Sequence, residues 1–569
     1  MGGRQDVAIM GGGLAGLTLA LQLKLARPHA QVTILEKREG PAPDAAFKVG
    51  ESTTEVAARY FGRVLEMHDY LMTEQIKKFG LRFFMTADGN EDIARRVEMG
   101  IPFIPPDPSF QLDRGRFENE LAQRNRDRGT EIRDGCRVND VELGDDEHVV
   151  RFEEKGEPTE LRARWVVDAA GRANILKSKL GLAKDNDHHI NSCWWRLDGG
   201  IDIDEWSDEE PWRQRIPEPF TGQRMQSTNH LMGEGYWIWM IPLVSGPISV
   251  GICSDPRLHP WENFQTLETT LEWLRGHEPQ LAAATEGRED QVLDFLKIEN
   301  FSHGCERCFS PERWAMTGDA GVFVDPLFSP GSNYIAFCNG FVGDLIVHDL
   351  DGDDIAARAE HHNELFLRMY ESEIAPYCDF YTQMGNPQVT VGRITWGTVA
   401  YWALSGLLYH QGGNKLTDPD FMDEVGSDLD RGHKLVKVMD RFWLEWHALD
   451  QTQYRNGWVN MVTPAADAAL YVGLFAEHDD EALKNQIKEN VALMEAVAVG
   501  MFHWGTALLP DADVPEDRKI NPYAISLDPK RWESDGLFDG SGVSVADVAE
   551  RLEGLDATLL NNVAERVET

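Results

Sequence analysis

The chain has 569 residues, 42% of them hydrophobic, which suffices for a large core in two or three domains and excludes a globally disordered chain. Its formal net charge of -40 repels nucleic acid and anionic membranes, and reads as a surface adapted to a salty medium. Seven cysteines, scattered apart from the Cys305/Cys308 pair, fit neither a disulfide framework nor a zinc site with two ligand pairs, and point to reduced thiols and a cytoplasmic setting.

In chain order, residues 6–10 read as a buried strand, 11–16 as a glycine turn, 17–25 as a helix and 31–35 as a second strand ending at Glu36. A helical stretch is expected over about 52–79 and a β-rich part over about 80–110. Helix returns over 112–129, a strand pair spans 138–152, and 164–171 is a strand running into a turn. Residues 190–255 are β-rich, with strands at 236–243 and 247–253. Residues 315–320 are again strand then turn, and a helix starts near Gly331. Beyond about 345, helices rich in Trp and Tyr dominate, and Ser544 with Asp547 resembles a capping box. No signal peptide is expected, and the longest apolar run, about 396–409, is too short to span a bilayer. It reads as a buried or pocket-lining helix. The pattern predicts an α/β (α+β) fold. A Rossmann-type nucleotide domain covers about 1–345, with an interleaved β-sheet substrate part at about 80–110 and 190–300. A mostly helical region, 346–569, caps the substrate pocket.

Four motifs carry the chemistry. In Gly11-Gly12-Gly13-Leu14-Ala15-Gly16, Gly11 allows a tight turn, Gly13 lets the backbone approach a pyrophosphate, and Gly16 lets helix and strand pack closely. The helix N-terminus then offers free N–H groups to phosphate. Glu36, followed by Lys37, stands at the end of the second strand, where a carboxylate suits a ribose hydroxyl. Asp113-Arg114-Gly115-Arg116 opens a helix, and Arg114 is a candidate partner for pyrophosphate. Asp168-Ala169-Ala170-Gly171-Arg172 and Gly318-Asp319-Ala320, the latter followed by Asp325-Pro326, each close a strand. Asp168 and Asp319 are candidate acceptors for ribityl hydroxyls, and the helix after Asp319 favours negative charge on a reduced flavin. Together they predict an FAD site formed by Gly11, Gly13, Ala15, Gly16, Glu36, Lys37, Arg114, Asp168, Gly171, Asp319, Pro326 and Gly331.

The order of these motifs resembles the hydroxybenzoate hydroxylase-like FAD-binding fold, and two further segments resemble its flavin-dependent halogenase family. Trp237-x-Trp239-x-Ile241-Pro242 resembles the family's WxWxIP signature. Two residues apart on a strand, the tryptophans share a face; the resemblance implies that they shield the flavin. Val49-Gly50-Glu51-Ser52 resembles the segment along the flavin, with Val49 and Ser52 as cofactor contacts. Lys77-Lys78-Phe79-Gly80 precedes an apolar strand where the family carries its catalytic lysine. Lys78 is the better match, Lys77 the fallback, and Glu51 joins Lys78 as a catalytic candidate. A lysine in an apolar passage is partly neutralised by desolvation.

The resemblance implies an enzyme that uses reduced FAD from a separate flavin reductase, oxygen, and chloride or bromide. It would halogenate a small electron-rich aromatic through hypohalous acid held at Lys78. The segment 325–332 aligns with the family's halide site, but Pro330 lacks the N–H that the family offers there. Halide binding then falls to Ser329, Gly331 and Ser332. Phe328 replaces the glutamate of the tryptophan-chlorinating branch, which favours phenols and pyrroles. The acidic surface favours a freely diffusing substrate over an acidic carrier protein. The alternatives are a flavin monooxygenase or dehydrogenase that lost the halide site, and a non-enzymatic flavin carrier or sensor. His188-His189 and His361-His362 read as adjacent pairs pointing apart, so no metal site is expected. The oligomeric state is open, a homodimer included.

Overall fold

A computed structural model describes residues 4–45, 48–411 and 414–567. The strand Gln5–Met10 pairs in parallel with Val32–Glu36 on one side and with Glu157–Asp168 on the other. Glu131–Asp134 and Trp314–Met316 extend this parallel sheet outward. Val7, Ala8, Ile9 and Met10 are fully buried, as a strand covered on both faces requires. The helix Leu14–Ala26 covers one face and is itself buried along most of its length.

A second eight-stranded sheet has the order Val292–Ile298, Asn191–Leu197, Ile248–Ser254, Tyr236–Pro242, Thr228–Gly233, Leu81–Phe84, Glu98–Gly100 and Trp458–Asn460. The two expected β-rich stretches therefore meet in one sheet. Its edge strand, Trp458–Asn460, comes from the C-terminal region and pairs in parallel with Glu98–Gly100, a contact not expected from the sequence. Within this sheet Glu98 is fully buried and accepts hydrogen bonds from Arg82 (2.6 Å) and Arg224 (2.8 Å), with Arg215 at 3.4 Å.

The expected helix over 52–79 is broken. Glu55–Arg59 is α-helical, Tyr60–Val64 is a π-turn, His68–Glu74 is a second helix, and Ile76–Lys77 is a short strand. Glu66 takes a φ of 56°, which a right-handed helix forbids. Similarly, the run at 396–409 is helical to Tyr401, passes through a π-turn at Trp402–Gly406 and resumes to His410. The C-terminal helix Asp480–Gly505 packs against Pro419–Leu449. The span Asp480–Leu508 is long and apolar enough to cross a bilayer, but 61% of its most apolar window is buried in the fold, as in a core helix.

Candidate active site

Two glycines set the turn after the first strand. Gly11 takes a φ of 116°, and a Cβ there would lie 2.3 Å from the Ala169 carbonyl oxygen. A Cβ on Gly16 would lie 2.1 Å from the Gly11 carbonyl oxygen. Gly16 thus seats the helix on its strand and does not line the cavity below. The helix has no side-chain cap, so its first N–H groups stay available to an anion. Gly11→Ala combines left-handed strain with a backbone clash. The purified variant is expected to lose the visible absorbance of bound flavin; full flavin retention would contradict this role for the turn.

The turn opens into a cavity of about 880 Å³. Gly13, Ala15, Glu36 and Lys37 line one end, and Lys37 is exposed at its rim. The Glu36 carboxylate accepts from the Gly12 N–H (2.7 Å) and the Arg38 N–H (2.8 Å), which fixes it while leaving lone pairs for a ligand hydroxyl. Arg114 donates to the Val49 carbonyl and to Glu118, both at 2.6 Å, while its buried Nε has no partner. Asp319 lines the cavity, and among the described residues no other side chain is hydrogen-bonded to its carboxyl group; burial pushes that carboxyl up, with Arg172 and Arg114 pulling the other way. Gly171 lines the wall with a φ of 61°.

Asp168 differs from expectation. Its carboxylate accepts from the Ala170 N–H (3.0 Å) and the Leu176 N–H (2.8 Å), is fully buried, and does not line the cavity. It holds the turn that shapes the wall. Conversely, Lys48 was not expected, yet its ammonium lies 3.5 Å from the point where a Gly13 Cβ would stand, and it is paired with Glu118. Arg172 also lines the cavity, donating to the Phe301 carbonyl at 2.6 Å. An open glycine turn, cationic Lys48 and Arg114, the orphaned Arg114 Nε and the carboxyl groups of Glu36 and Asp319 fit FAD, with its pyrophosphate, ribose and ribityl groups.

Farther along, Trp237 and Trp239 line the same cavity on one face of their strand, ring centroids 5.7 Å apart. Both are held. The Trp237 indole donates to the Tyr381 hydroxyl (2.7 Å), Tyr381 donates to Asp325 (2.8 Å), and His188 Nε2 lies 2.7 Å from the same carboxylate. The Trp239 indole donates to Ser249 at 3.3 Å. His188, expected to be an unremarkable polar residue, is thus buried in a network that fixes a cavity wall. Among the described residues no group of three or more His, Cys, Asp or Glu could hold a metal ion.

Lys78 is 1% exposed. Its ammonium donates to Ser52 Oγ and to the Thr53 carbonyl, both at 2.8 Å. Ser52 lines the cavity and also contacts Thr228 Oγ1 at 2.8 Å. Lys78 therefore stands one side chain behind the cavity wall. Burial pulls its pKa down to about 7, with the charge of Glu55 opposing. Lys77 is exposed on the neighbouring short strand. Glu51 lines the cavity, but its carboxylate is tied to Arg196, with Nη at 2.7 Å and Nε at 3.1 Å. Burial pushes the Glu51 carboxyl up against the pull of Arg196.

The segment 325–332 lines the same cavity, with Pro326, Ser329, Gly331 and Ser332 in its wall. Phe328 and Ser329 take φ values of 52° and 58°, uncommon for residues with a Cβ. The Ser329 N–H is used within the loop, on the Pro326 and Leu327 carbonyls (3.0 and 2.7 Å). The helix Gly331–Asp351 starts here without a side-chain cap, which leaves the first-turn N–H groups of Gly331 and Ser332. Both are positioned where Pro330 cannot contribute.

Comparison with known proteins agrees with this geometry. A family model described as "FAD binding domain" matches residues 4–219. The flavin-dependent halogenase chlA of Dictyostelium discoideum is 26% identical over 474 residues, covering 76% of each chain. The 1H-pyrrole-2-carbonyl-[peptidyl-carrier protein] chlorinase of Pseudomonas fluorescens is 24% identical over 391 residues, covering 64% of this chain and 80% of its own. Among solved structures, the halogenase PltM in complex with phloroglucinol and FAD superposes with a TM-score of 0.60 at 16% identity, covering 89% of this chain and 97% of its own. The FAD-binding match and these likenesses show a chain with an FAD-binding domain that is similar to flavin-dependent halogenases in sequence and to a halogenase in fold.

Proposed function

We propose that this protein halogenates a small, freely diffusing, electron-rich aromatic compound, using chloride or bromide, oxygen and reduced FAD delivered by a separate reductase. The reduced flavin would supply the electrons that activate oxygen. The residues of the chain divide the remaining work. The N–H groups of Gly331 and Ser332 and the hydroxyls of Ser329 and Ser332 would hold the halide at a helix N-terminus. Trp237 and Trp239 would keep the organic substrate from the flavin. Lys78 would hold the hypohalous acid and present it to the ring.

The observation that carries this reading is the Lys78 ammonium. It is buried and hydrogen-bonded to Ser52 in the cavity wall. A lysine kept only for solubility would not be desolvated to a pKa of about 7. Pro330 favours a second reading, a flavin monooxygenase or dehydrogenase without a halide requirement. One assay separates the two. The FAD-loaded protein is supplied with reduced FAD, oxygen and bromide over a panel of phenols, pyrroles and indoles, with products read by mass spectrometry. Brominated products that vanish without bromide are expected; oxygenated products formed equally well without halide would establish the second reading instead.

A further inference from the structure

The halide segment and the lysine stand on different elements. The N–H groups of Gly331 and Ser332 open the helix Gly331–Asp351. Lys78 is held by Ser52 and Thr53, just ahead of the short helix Glu55–Arg59. Thr53 is tied to Phe110: its N–H donates to the Phe110 carbonyl (3.0 Å), and its hydroxyl accepts from the Phe110 N–H (2.7 Å). The residues after Thr53 meet the helix Gly331–Asp351 instead.

Asn333 makes that contact. The helix Glu55–Arg59 receives no hydrogen bond from the side chain of Thr54, the residue before it, so its first N–H groups need other acceptors. The Ala57 N–H donates to Asn333 Oδ1 at 3.1 Å, and the Val56 N–H to the Tyr401 hydroxyl at 3.3 Å. The Thr54 hydroxyl donates to the same Asn333 Oδ1 at 2.9 Å. Asn333 Nδ2 donates to the Tyr401 hydroxyl at 3.4 Å. A backbone N–H can only donate, so Ala57 fixes which end of the amide faces the segment. Asn333 is the third residue of its helix and is buried. Neither Asn333 nor Thr54 lines the cavity.

One amide thus caps the helix behind the holders of Lys78, and it does so from the helix that offers N–H groups to the halide. An apolar side chain at 333 would leave the Ala57 N–H and the Thr54 hydroxyl without this acceptor, and would remove the tie between the two elements. Hypohalous acid is small and neutral, so whatever misses the lysine can diffuse away. A displacement of about 1 Å can cost about 10²-fold in a positioned reaction. Resting on the halogenation reading above, we propose that Asn333 is a positioning residue. It holds the halide-side helix in register with Lys78, so that hypohalous acid formed at one is received at the other and not lost to solvent.

The fate of the bromine tests this. The FAD-loaded wild type, Asn333→Leu, Thr54→Val and Thr54→Ser are supplied with reduced FAD, oxygen, bromide and resorcinol. Excess monochlorodimedone traps oxidised bromine that reaches solution. Asn333→Leu is expected to shift the ratio of brominated resorcinol to brominated trap about tenfold or more towards the trap, at unchanged flavin content and unchanged rate of reduced-FAD oxidation. Thr54→Val removes one of the two donors and gives part of the shift; Thr54→Ser keeps the hydroxyl and gives none. The double variant of Asn333→Leu with Thr54→Val is no worse than Asn333→Leu alone, because both act through one contact. Hydrogen exchange reads the tie without turnover: the Ala57 amide should exchange faster in Asn333→Leu, while the helix Leu14–Ala26 keeps its protection. An unchanged ratio in folded, flavin-loaded Asn333→Leu overturns the proposal. So does a wild type that loses all its bromine to the trap, or a Thr54→Ser shift as large as that of Thr54→Val. Faster Ala57 exchange in Asn333→Leu, with a wild type that oxidises no bromide, supports the tie between the two elements while removing the halogenation reading.

Discussion

Replacing Lys78 by methionine is expected to lower bromide-dependent turnover by about 10²–10³-fold or more, the scale on which loss of one positioned donor is felt. FAD content should be unchanged, because Lys78 does not line the cofactor cavity. Stability should not suffer either. Methionine is unbranched and one atom shorter than lysine, and a buried ammonium satisfied at only two positions is replaced by an apolar group at little cost. The pH dependence sharpens the expectation. Lys78 has a folded pKa near 7 against 10.5 for a free lysine. Between these values the unfolded chain binds more protons, so the Lys78 contribution to stability rises with pH. Below pH 7 the folded protein bears the full cost of the charge. Any stability advantage of Lys78→Met should therefore be largest below pH 7 and shrink as the pH rises from 7 towards 10. Denaturant titrations at several pH values, alongside steady-state turnover, measure both. Wild-type turnover in Lys78→Met would remove the lysine from the chemistry.

Glu98→Gln is expected to destabilise the fold by about 3–5 kcal/mol, the cost of breaking a fully buried ion-pair cluster from one side. Glu98 is the only carboxylate in contact with Arg82 and Arg215 among the ion pairs of the described residues, and it shares Arg224 with Asp204. Glutamine would leave Arg82 and Arg215 without a carboxylate and Arg224 with Asp204 alone. Burial pushes the Glu98 carboxyl up, but Arg224, Arg82 and Arg215 outweigh it and hold it down at about 2, from 4.5. A depressed carboxylate contributes stability that is present above pH 4.5 and lost as the pH falls towards 2. The difference between wild type and Glu98→Gln should therefore be constant at neutral pH and close in acid. Guanidinium unfolding midpoints would show it; a midpoint unmoved at pH 7 would mean that the cluster is not a structural anchor.

The local parts of this architecture were legible in the sequence. Gly11 and Gly16 announce a strand–turn–helix because only their lack of a Cβ permits its close contacts, and that geometry is completed within a few residues. Trp237 and Trp239 announce a shared face because strand alternation is local. What failed to show depended on distant partners. Asp168 looked like a cofactor ligand, but the backbone of residues 170–176 claims its carboxylate. His188 gave no sign of Asp325 and Tyr381, which reach it from far along the chain. Lys48 carries no motif and becomes visible only when folding sets it beside Gly13. The helix expected over 52–79 failed at Glu66, whose backbone obeys its surroundings and not its propensity.

The edge strand Trp458–Asn460 has a consequence for biosynthesis. Its partner, Glu98–Gly100, leaves the ribosome long before it, and until residue 460 emerges the nascent sheet displays an open hydrogen-bonding edge. That edge lies beside the Glu98 cluster, whose other members have by then all been made. The growing chain therefore carries all the residues of the ionic core next to an unfinished border, and its exposure to mispairing with a neighbouring chain spans the synthesis of about the first half of the helical region.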